Sequence, residues 1–306
     1  MRISGPFLAL LLAATSAQAF VSQSPVAVGV SQNRAVRPSA PLAIGTIATP
    51  PVARGENTDA WVDDISPENP LKVVIAGAGV GGLALAKVLT KNPNMDVQVL
   101  ERTAAFKRFG GPIQLASNAM QILKDMDEDV YTQIANKFTV TGDKMNGIKD
   151  GIRSEWYAKF DLKSPAEDRG LPYTGVIDRP DLQEIYLKSL PKGTVQNGEG
   201  VAKYEIAKGG RGVTVTTDSG KTVDCDVLIG ADGIWSAVRS NMRGTPMKGE
   251  GSGASYSGYT VFAGELKYDS PDNGQVGYKV YIGPGQVRQM MMLLRNNDPY
   301  GNHGLT

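Results

Sequence analysis

The sequence predicts an α/β fold that begins, after an unfolded leader, with a strand, a glycine-rich loop, a helix and a second strand. Residues 71–77 (LKVVIAG) form a short apolar run, rich in β-branched side chains, that is typical of a buried parallel strand. From Val80 the apolar residues recur with helical spacing. Residues 96–101 (DVQVLE) then alternate as a second strand. These observations predict a βαβ unit at the start of the folded chain.

The first residues have the features of a targeting signal. Residues 1–19 combine Arg2, an apolar run at 7–14 and an Ala17-Gln18-Ala19 cleavage site, which together predict a signal peptide. The apolar run is too short to span a bilayer, so a transmembrane anchor is not predicted. The alternative is a buried N-terminal helix.

The segment 20–60 is predicted to be a disordered, transit-like extension. It contains no acidic residue before Glu56, and arginine, serine, threonine and proline are scattered through it. Such a segment cannot bury enough apolar surface to fold. A signal peptide followed by this segment, with Phe20 first after the cleavage site, resembles the bipartite presequence of algae with secondary plastids. Secretion with a disordered leader is the alternative.

Composition excludes several kinds of chemistry. The 306 residues are 41% apolar and 21% charged, as in an ordinary globular protein. Without the four arginines that precede Glu56, 28 basic residues stand against 31 acidic ones, so charge gives no argument for binding nucleic acid. Cys225 and His303 are the single residues of their types, so an internal disulfide is impossible. A Cys/His zinc site and a Ser-His-Asp triad are disfavoured, and no metal site is predicted.

Glycines at positions 77, 79 and 82 give the spacing G-x-G-x-x-G between the first strand and the helix. In this motif Gly77 allows a tight turn, Gly79 lets the backbone approach a pyrophosphate, and Gly82 lets the helix pack closely on the strand. The helix N-terminus then offers N–H groups and the positive end of its dipole to phosphates. The pattern predicts a Rossmann-like unit that binds a dinucleotide.

An acidic residue at the end of the second strand narrows the choice of dinucleotide. Glu101 lies 19 residues after Gly82, where a carboxylate accepts hydrogen bonds from ribose hydroxyls. An acid at this place disfavours a 2′-phosphate, so the predicted ligand is FAD or NAD and not NADP. The adjacent Arg102 is included among the cofactor-binding candidates.

The rest of the chain does not continue with further βαβ units, as an NAD dehydrogenase would. Residues 106–123 are predicted to form a loop and then a helix, and residues 142–162 to form turns and short strands. Residues 176–190 are predicted to begin a helix. A buried strand then leads into Asp232-Gly233, and Ser236 is predicted to cap the next helix.

This layout resembles the single-component flavoprotein aromatic-hydroxylase class of monooxygenases. Residues 228–239 (LIGADGIWSAVR) match the second Asp-Gly motif of the class, and Arg179 in DRPDL matches an arginine that the class places near the flavin. The amino-acid sequence from residue 71 to about 287 further resembles the zeaxanthin epoxidase family of plastids. Seven segments carry that resemblance in order: GPIQLASNAM, TGDKMNGIKDG, WYAKFD, RGLP, GADGIWSAVR, YSGYTVF and VGYKVYIGPGQ.

The resemblance implies a glutathione-reductase-type FAD-binding domain with a β-rich substrate domain. It also implies a set of site residues on the matching positions. The implied FAD-binding residues are Gly77, Gly79, Gly82, Glu101, Arg102, Arg179, Asp232 and Gly233, with Arg108 and Gln114 on the flavin or substrate face.

The resemblance implies a reaction as well. A flavin hydroperoxide would deliver one oxygen atom of O2 to a ring double bond of a xanthophyll, converting zeaxanthin to antheraxanthin and violaxanthin, with no catalytic residue from the protein. Electrons would come from NADPH, by way of ferredoxin. The implied partners are the lipophilic xanthophyll, ferredoxin and the thylakoid membrane, which the protein would contact peripherally from the stroma.

The sequence departs from the family near its end. The late Gly-Asp motif, which in the family grips the ribityl chain and the pyrophosphate, does not occur before Thr306. After Gln286 the sequence (VRQMMMLLRNNDPYGNHGLT) resembles no strand of the substrate sheet. Residues 71–306 are therefore expected to form a truncated, incomplete monooxygenase domain. The alternatives are a catalytically inactive FAD-binding fragment and another flavin oxidoreductase, such as an isoprenoid reductase.

Overall fold

The computed structural model of the protein describes residues 65–107, 111–208, 212–256, 275–282 and 289–293. The predicted signal peptide and transit-like segment lie outside these residues. The chain divides into two compact units, Met1–Asn69 and Pro70–Thr306. The described part of the first unit is a short turn closed by mutual backbone hydrogen bonds between Ser66 and Asn69. All elements described below belong to the second unit.

Within the described residues the chain forms fourteen strands and six helices. The strands are β1 (Leu71–Ala76), β2 (Met95–Glu101), β3 (Pro112–Leu115), β4 (Thr139–Val140), β5 (Met145–Asp150), β6 (Trp156–Phe160), β7 (Gly175–Asp178), β8 (Val195–Asn197), β9 (Val201–Ile206), β10 (Val213–Thr217), β11 (Thr222–Cys225), β12 (Val227–Gly230), β13 (Val276–Ile282) and β14 (Gln289–Leu293). The helices are α1 (Val80–Leu89), α2 (Ser117–Met126), α3 (Glu128–Lys137), α4 (Ser164–Glu167), α5 (Arg179–Ser189) and α6 (Ala237–Arg243).

A parallel sheet in the order β12-β1-β2-β8 is the centre of this unit. Its central strand β1 consists of the apolar run that predicted it, and Val73 to Ala76 are all buried. A strand buried on both faces reads as a continuous apolar run instead of an alternating one, which explains the sequence of β1. The predicted strand–loop–helix–strand unit is therefore present, with α1 beginning at Val80 as expected.

The two faces of the parallel sheet are covered by different layers. Val73 and Ile75 point into an apolar cluster shared with α1, α2, α3 and α5. Val74 and Ala76 point the other way, into a smaller cluster that includes residues of β9, β10, β11 and α6. Strands β11-β10-β9 form an antiparallel sheet on that side. Helices, parallel sheet and antiparallel sheet thus make three layers.

Helix α1 is tied to its neighbours by lysines near its C-terminus. Asp127 caps α3 by accepting a hydrogen bond from Val130 N, and its other oxygen lies 3.2 Å from Lys87 Nζ and 3.0 Å from Lys91 Nζ. Burial alone would raise the pKa of Asp127, but these hydrogen bonds outweigh it and lower the pKa to about 2. Lys87 also donates to the backbone oxygen of Ser189 at the end of α5.

A short sheet has the strand order β3-β7-β4. In the sequence, β3 precedes α2, β4 follows α3 and β7 precedes α5. Strand β3 was not predicted, because the two glycines before it and Pro112 at its start favoured a loop. Its residues pair antiparallel with β7, from Pro112 opposite Asp178 to Leu115 opposite Gly175. Tertiary pairing with a distant strand thus overrides the local turn signal. The helix predicted after it is present as α2.

The fourth sheet of the described residues has the order β14-β13-β5-β6 and joins one parallel pair and two antiparallel pairs. It is called here the mixed sheet. The prediction that residues after Gln286 form no strand of this sheet was wrong. Strand β14 pairs antiparallel with β13, from Gln289 opposite Ile282 to Leu293 opposite Tyr278. Strand pairing satisfies the backbone N–H and C=O groups of both strands whatever side chains they carry. The three consecutive methionines do not alternate with polar residues, so the sequence pattern did not indicate this strand.

The remaining predicted elements are also present. The short strands expected between residues 142 and 162 are β5 and β6, and the predicted helix near residues 176–190 is α5, preceded by β7. Ser236 caps α6 by accepting a hydrogen bond from Arg239 N, as expected. None of the helices in the described ranges is both long enough and apolar enough to cross a membrane.

Candidate functional site

Three strands of the parallel sheet end at the same edge and direct their following loops toward one place. Strand β1 ends at Ala76, β2 at Glu101 and β12 at Gly230. Backbone hydrogen bonds continue past these ends, because Gly77 N donates to Leu100 O and Ala231 N donates to Ala76 O, both at 2.8 Å. The carboxyl edge of a parallel α/β sheet is where such folds bind ligands.

The segment Gly77–Gly82 spans the turn after β1 and the first residues of α1, and it is called here the glycine loop. Two of its glycines are required by close backbone contacts. Gly77 has a φ of +101°, and a Cβ built there would lie 2.6 Å from Ala231 O. A Cβ at Gly82 would lie 2.0 Å from Gly77 O. The tight turn and the close helix packing predicted for these positions are therefore both present. They also bring the glycine loop into contact with the loop after β12.

The other two glycines of the loop face open space. A Cβ built at Gly79 or at Gly81 would meet no atom within 4 Å. Gly79 is the N-cap of α1 and has an extended backbone without a side-chain cap. The first N–H groups of a helix have no acceptor within that helix, so this end of α1 presents donors beside an open surface.

Glu101 is held rigidly at the end of β2. Its Oε2 accepts a hydrogen bond from Ala78 N at 2.7 Å, and its Oε1 accepts one from Thr103 N at 2.8 Å. A carboxylate oxygen has two acceptor sites, so each oxygen can still accept a hydrogen bond from a ligand. The predicted contact of Glu101 with a ribose is compatible with this geometry and stays a prediction.

Arg102 points toward the antiparallel sheet. Its Nε lies 2.9 Å from Asp218 Oδ2 in the turn between β10 and β11, and both side chains are about half exposed. A Cβ at Gly200 would lie 2.8 Å from Arg102 Cβ and 2.4 Å from the same Asp218 oxygen. This ion pair gives Arg102 a structural contact that the sequence did not indicate, and its role with the cofactor stays a prediction.

Asp232 in the loop after β12 uses one carboxylate oxygen and leaves the other without a partner. Its Oδ2 accepts hydrogen bonds from Ala237 N at 2.6 Å and from Val238 N at 3.3 Å, at the start of α6. Among the residues that the structure describes, its Oδ1 is buried and has no hydrogen-bond partner. Such an oxygen is costly unless another group donates to it. The next residue, Gly233, is exposed with a φ of +78°.

The candidates for the flavin side lie on β3 and α5. Gln114 is exposed on β3, opposite Val176, and Arg179 is the first residue of α5. Arg179 is partly buried and precedes Gln183 by one helical turn, so both occupy one face of α5. Arg108 lies outside the described residues.

Sequence reasoning missed Gln183. Its side-chain amide donates a 2.8 Å hydrogen bond to Ala78 O in the glycine loop, across 105 residues of sequence. The available signal was its spacing of four residues from Arg179, which puts it on the helix face already assigned to the site. The structure thus brings together the glycine loop, Glu101, Gln183 and Asp232.

A nucleophilic thiol and a cluster of metal ligands are both absent from the described residues. The side chain of Cys225 is buried and donates to Val213 O, and burial raises the pKa of its thiol to about 11. A thiol with this pKa is not a nucleophile at neutral pH. Within the described ranges, no group of three or more His, Cys, Asp and Glu side chains could hold a metal ion.

The comparison with protein families decides which group the site holds. A family model described as FAD binding domain matches residues 70–298. The chain belongs to this FAD-binding family. The matched residues extend past Gln286, and the departure from the zeaxanthin epoxidase family expected after that residue stays a prediction. FAD, one of the two dinucleotides that Glu101 allowed, is therefore the cofactor of this fold.

Curated relatives extend the comparison. The chain is 41% identical over 224 residues to the chloroplastic zeaxanthin epoxidase of Spinacia oleracea, an alignment that covers 72% of this chain and 32% of the relative. It is 40% identical over 247 residues to the chloroplastic zeaxanthin epoxidase of Solanum lycopersicum, with 79% and 36% covered. The resemblance noted in the sequence is confirmed. The chain spans about a third of the length of these relatives.

A solved structure supports the fold. An HpxO variant from Klebsiella pneumoniae, complexed with FAD, superposes with a TM-score of 0.55 at 22% identity, covering 74% of this chain and 54% of that chain. The predicted α/β, Rossmann-like FAD-binding fold is therefore confirmed, while its assignment to the glutathione-reductase type stays a prediction.

The residues at the carboxyl edge fit FAD. Open space beside Gly79 leaves room for a pyrophosphate at the start of α1. Glu101 retains acceptor capacity for the hydroxyls of the ribose. The orphaned Oδ1 of Asp232 is an acceptor at the same edge of the sheet. Together these residues can bind and orient the cofactor, and the two-electron and oxygen chemistry would be supplied by the flavin.

Proposed function

We propose that the protein is an FAD-dependent monooxygenase of the zeaxanthin epoxidase type, which converts zeaxanthin to antheraxanthin and then to violaxanthin. The 41% identity to the spinach zeaxanthin epoxidase over 224 residues carries the proposal. The site supports it, because the carboxyl edge of the parallel sheet offers a dinucleotide cradle.

The protein's part in the reaction is binding and orientation. The loop Gly77–Gly82 and the start of α1 would hold the pyrophosphate, and Glu101 would accept hydrogen bonds from the ribose. Asp232 and Gly233 would contact the cofactor from the loop after β12, and Arg179, Arg108 and Gln114 would lie toward the flavin or the substrate. An apolar, water-excluding surface is required next to them, because the substrate is a lipophilic polyene.

The proposed reaction balances with one reductant and one oxidant. NADPH supplies two electrons, by way of ferredoxin. One oxygen atom of O2 is added to a ring double bond of the xanthophyll, and the other leaves as water after two protons are taken up. NADPH acts as a donor from outside the glycine cradle, because an acid at position 101 disfavours a 2′-phosphate there.

The proposed place of action is the plastid. Residues 1–19 and 20–60 would act as signal peptide and transit peptide in turn, and the relatives carry chloroplastic in their names. The mature protein would work in the stroma, in peripheral contact with the thylakoid membrane that holds its substrate.

An epoxidation assay tests this proposal. The full chain, loaded with FAD, is incubated with zeaxanthin in lipid micelles, NADPH, ferredoxin and a ferredoxin reductase, under air or under argon. We expect antheraxanthin and then violaxanthin under air alone, with one labelled oxygen atom in each new epoxide when labelled O2 is supplied. A preparation kept free of FAD is the control.

Two other outcomes identify the alternatives. Retained FAD with no epoxide and no NADPH oxidation would contradict the proposal and favour an FAD-binding fragment without catalysis. Oxidation of NADPH in the presence of bound FAD, with reduction of a polyene or release of peroxide instead of epoxide, would favour another flavin oxidoreductase.

A further inference from the structure

Both polar groups of the Ala78 backbone are held by side chains from other elements. Ala78 N donates to Glu101 Oε2 at 2.7 Å, and Ala78 O accepts from Gln183 Nε2 at 2.8 Å. Ala78 itself is fully buried. Because the acceptor is a carbonyl oxygen, the amide nitrogen of Gln183 must face it, which fixes the orientation of that side chain.

The glycine loop needs such restraints. Glycine populates many backbone conformations and loses more conformational entropy on ordering than any other residue. The loop contains Gly77, Gly79, Gly81 and Gly82, and a cofactor can bind with full affinity only when the N–H groups of this loop already point toward it. Glu101 in β2 restrains the peptide group between Gly77 and Ala78, and Gln183 in α5 restrains the next one, between Ala78 and Gly79.

Gln183 reaches the loop from a helix that is itself well anchored. Its neighbours Leu182, Ile185 and Tyr186 are buried in the cluster under the parallel sheet. Gln183 is only partly buried and is directed at the loop, so its side chain adds little to that cluster. Its amide is therefore placed to act on the loop with little effect on the packing of α5.

We propose that Gln183 is a positioning residue for FAD, which holds the Ala78 carbonyl so that the glycine loop is ordered before the cofactor arrives. The proposal rests on the FAD-binding function of the site. It assigns to α5 a role in the adenine-side cradle, in addition to the place near the flavin expected for Arg179.

Two substitutions separate the hydrogen bond from the shape of the side chain. Q183L keeps the length but cannot donate, so the dissociation constant of FAD should rise by about tenfold, the value of one hydrogen bond. Q183E can donate only when its carboxyl group is protonated. A glutamate carboxyl with a pKa of about 4.3 is only about one-sixth protonated at pH 5. The dissociation constant of Q183E should therefore be about tenfold that of the unchanged protein at pH 8 and only about fourfold at pH 5.

Glu184 provides a matched control. It is the next residue of α5, and it forms an ion pair with Lys188 one turn along the helix. E184Q changes one polar side chain of the same helix without touching the Ala78 peptide. It should bind FAD with the dissociation constant of the unchanged protein at every pH.

The experiment titrates the full chain and its variants with FAD from pH 5 to pH 8, and follows amide hydrogen exchange of residues 77–82 without cofactor. Faster exchange at these residues in Q183L, together with the falling ratio for Q183E, is the expected result. Equal affinities for all variants, or a loss of affinity in Q183E that does not depend on pH, would overturn the proposal. An unchanged protein that binds no FAD would instead contradict the function of the whole site.

Discussion

The parallel sheet and the mixed sheet are stabilised in different ways. The parallel sheet is buried on both faces by apolar clusters, and Ile75 and Val99 at its centre have no exposed surface. On the mixed sheet, Tyr157 is 57% exposed, Ile282 45% and Phe160 39%. Burial of apolar surface is the larger source of stability, so the parallel sheet should be the more stable part of the fold.

Polar contacts take a larger part in the mixed sheet. Asn146 is fully buried, donates to the carbonyls of Thr141 and Lys144, and accepts from Tyr278 N, which links β5 to β13. Lys149 Nζ lies 5.0 Å from the ring centre of Trp156 and 5.8 Å from that of Tyr281.

Each of these polar contacts replaces a contact with water, so its net contribution to the free energy of unfolding is small. The stability of the mixed sheet therefore depends on several such contacts being formed together. The strand, turn and helix of the cofactor side are specified mainly by local sequence and burial, and side chains such as Gln183 add contacts from distant elements. The mixed sheet is specified by contacts that connect residues 145–160 with residues 276–293.

The largest effect is expected inside the glycine loop, where Gly82 in the first turn of α1 packs against Gly77. Because a Cβ at Gly82 would lie 2.0 Å from Gly77 O, G82V should reduce the free energy of unfolding by about 4 kcal/mol or more and abolish FAD binding. In G81A, the added Cβ meets no atom within 4 Å, so the stability of the cofactor-free protein should be unchanged or slightly higher. Urea denaturation of both variants measures this, and equal stabilities would contradict the close packing.

The next largest effect is expected from truncating one apolar side chain in each sheet and comparing the losses of unfolding free energy. I75A removes a side chain with no exposed surface from the centre of the parallel sheet and should cost about 2–4 kcal/mol of unfolding free energy. F160A removes a larger but 39% exposed side chain from β6 and should cost about 1–2 kcal/mol. Urea denaturation of both variants measures the two losses of unfolding free energy. A larger loss in F160A than in I75A would contradict the greater stability of the parallel sheet.

A smaller loss of unfolding free energy is expected when the pH is lowered and Asp127 becomes protonated. The pKa of Asp127 is lowered to about 2 in the folded protein, so folding favours its ionised form. This contribution is complete above the unfolded pKa of about 4 and is lost as the pH falls toward 2, which corresponds to about 2 kcal/mol. D127N should lack this component of the pH dependence between about pH 4 and pH 2. Parallel curves for both proteins in urea denaturation at several pH values would rule the mechanism out.

The smallest effect is expected at the turn between β5 and β6. The pKa of Asp150 is held well below its usual range by a hydrogen bond from Tyr157 and by the backbone N–H groups of Arg153 and Ile152. D150N replaces one accepting oxygen with a donor and should speed amide exchange at residues 150–157. FAD affinity should change by less than about twofold, because the parallel sheet is untouched. A large loss of FAD would show that the two sheets are coupled.

The sequence predicted those features whose cause is local. Gly77 and Gly82 could be assigned because their roles follow from backbone sterics within one loop, and Ser236 because a cap lies next to its helix. Strand β3 was hidden by the turn residues before it, and β14 by its methionines. The contacts of Arg102 with Asp218 and of Gln183 with Ala78 join residues more than 100 positions apart, which no local pattern reveals.

FAD binding at the carboxyl edge of the parallel sheet underlies every functional proposal made for this protein. The most direct measurement is a titration of the cofactor-free chain with FAD, NAD and NADP, followed by desalting and visible absorbance of the retained flavin. We expect stoichiometric retention of FAD and no competition from NADP. Failure to retain FAD, or displacement of FAD by NADP at equal concentration, would contradict it.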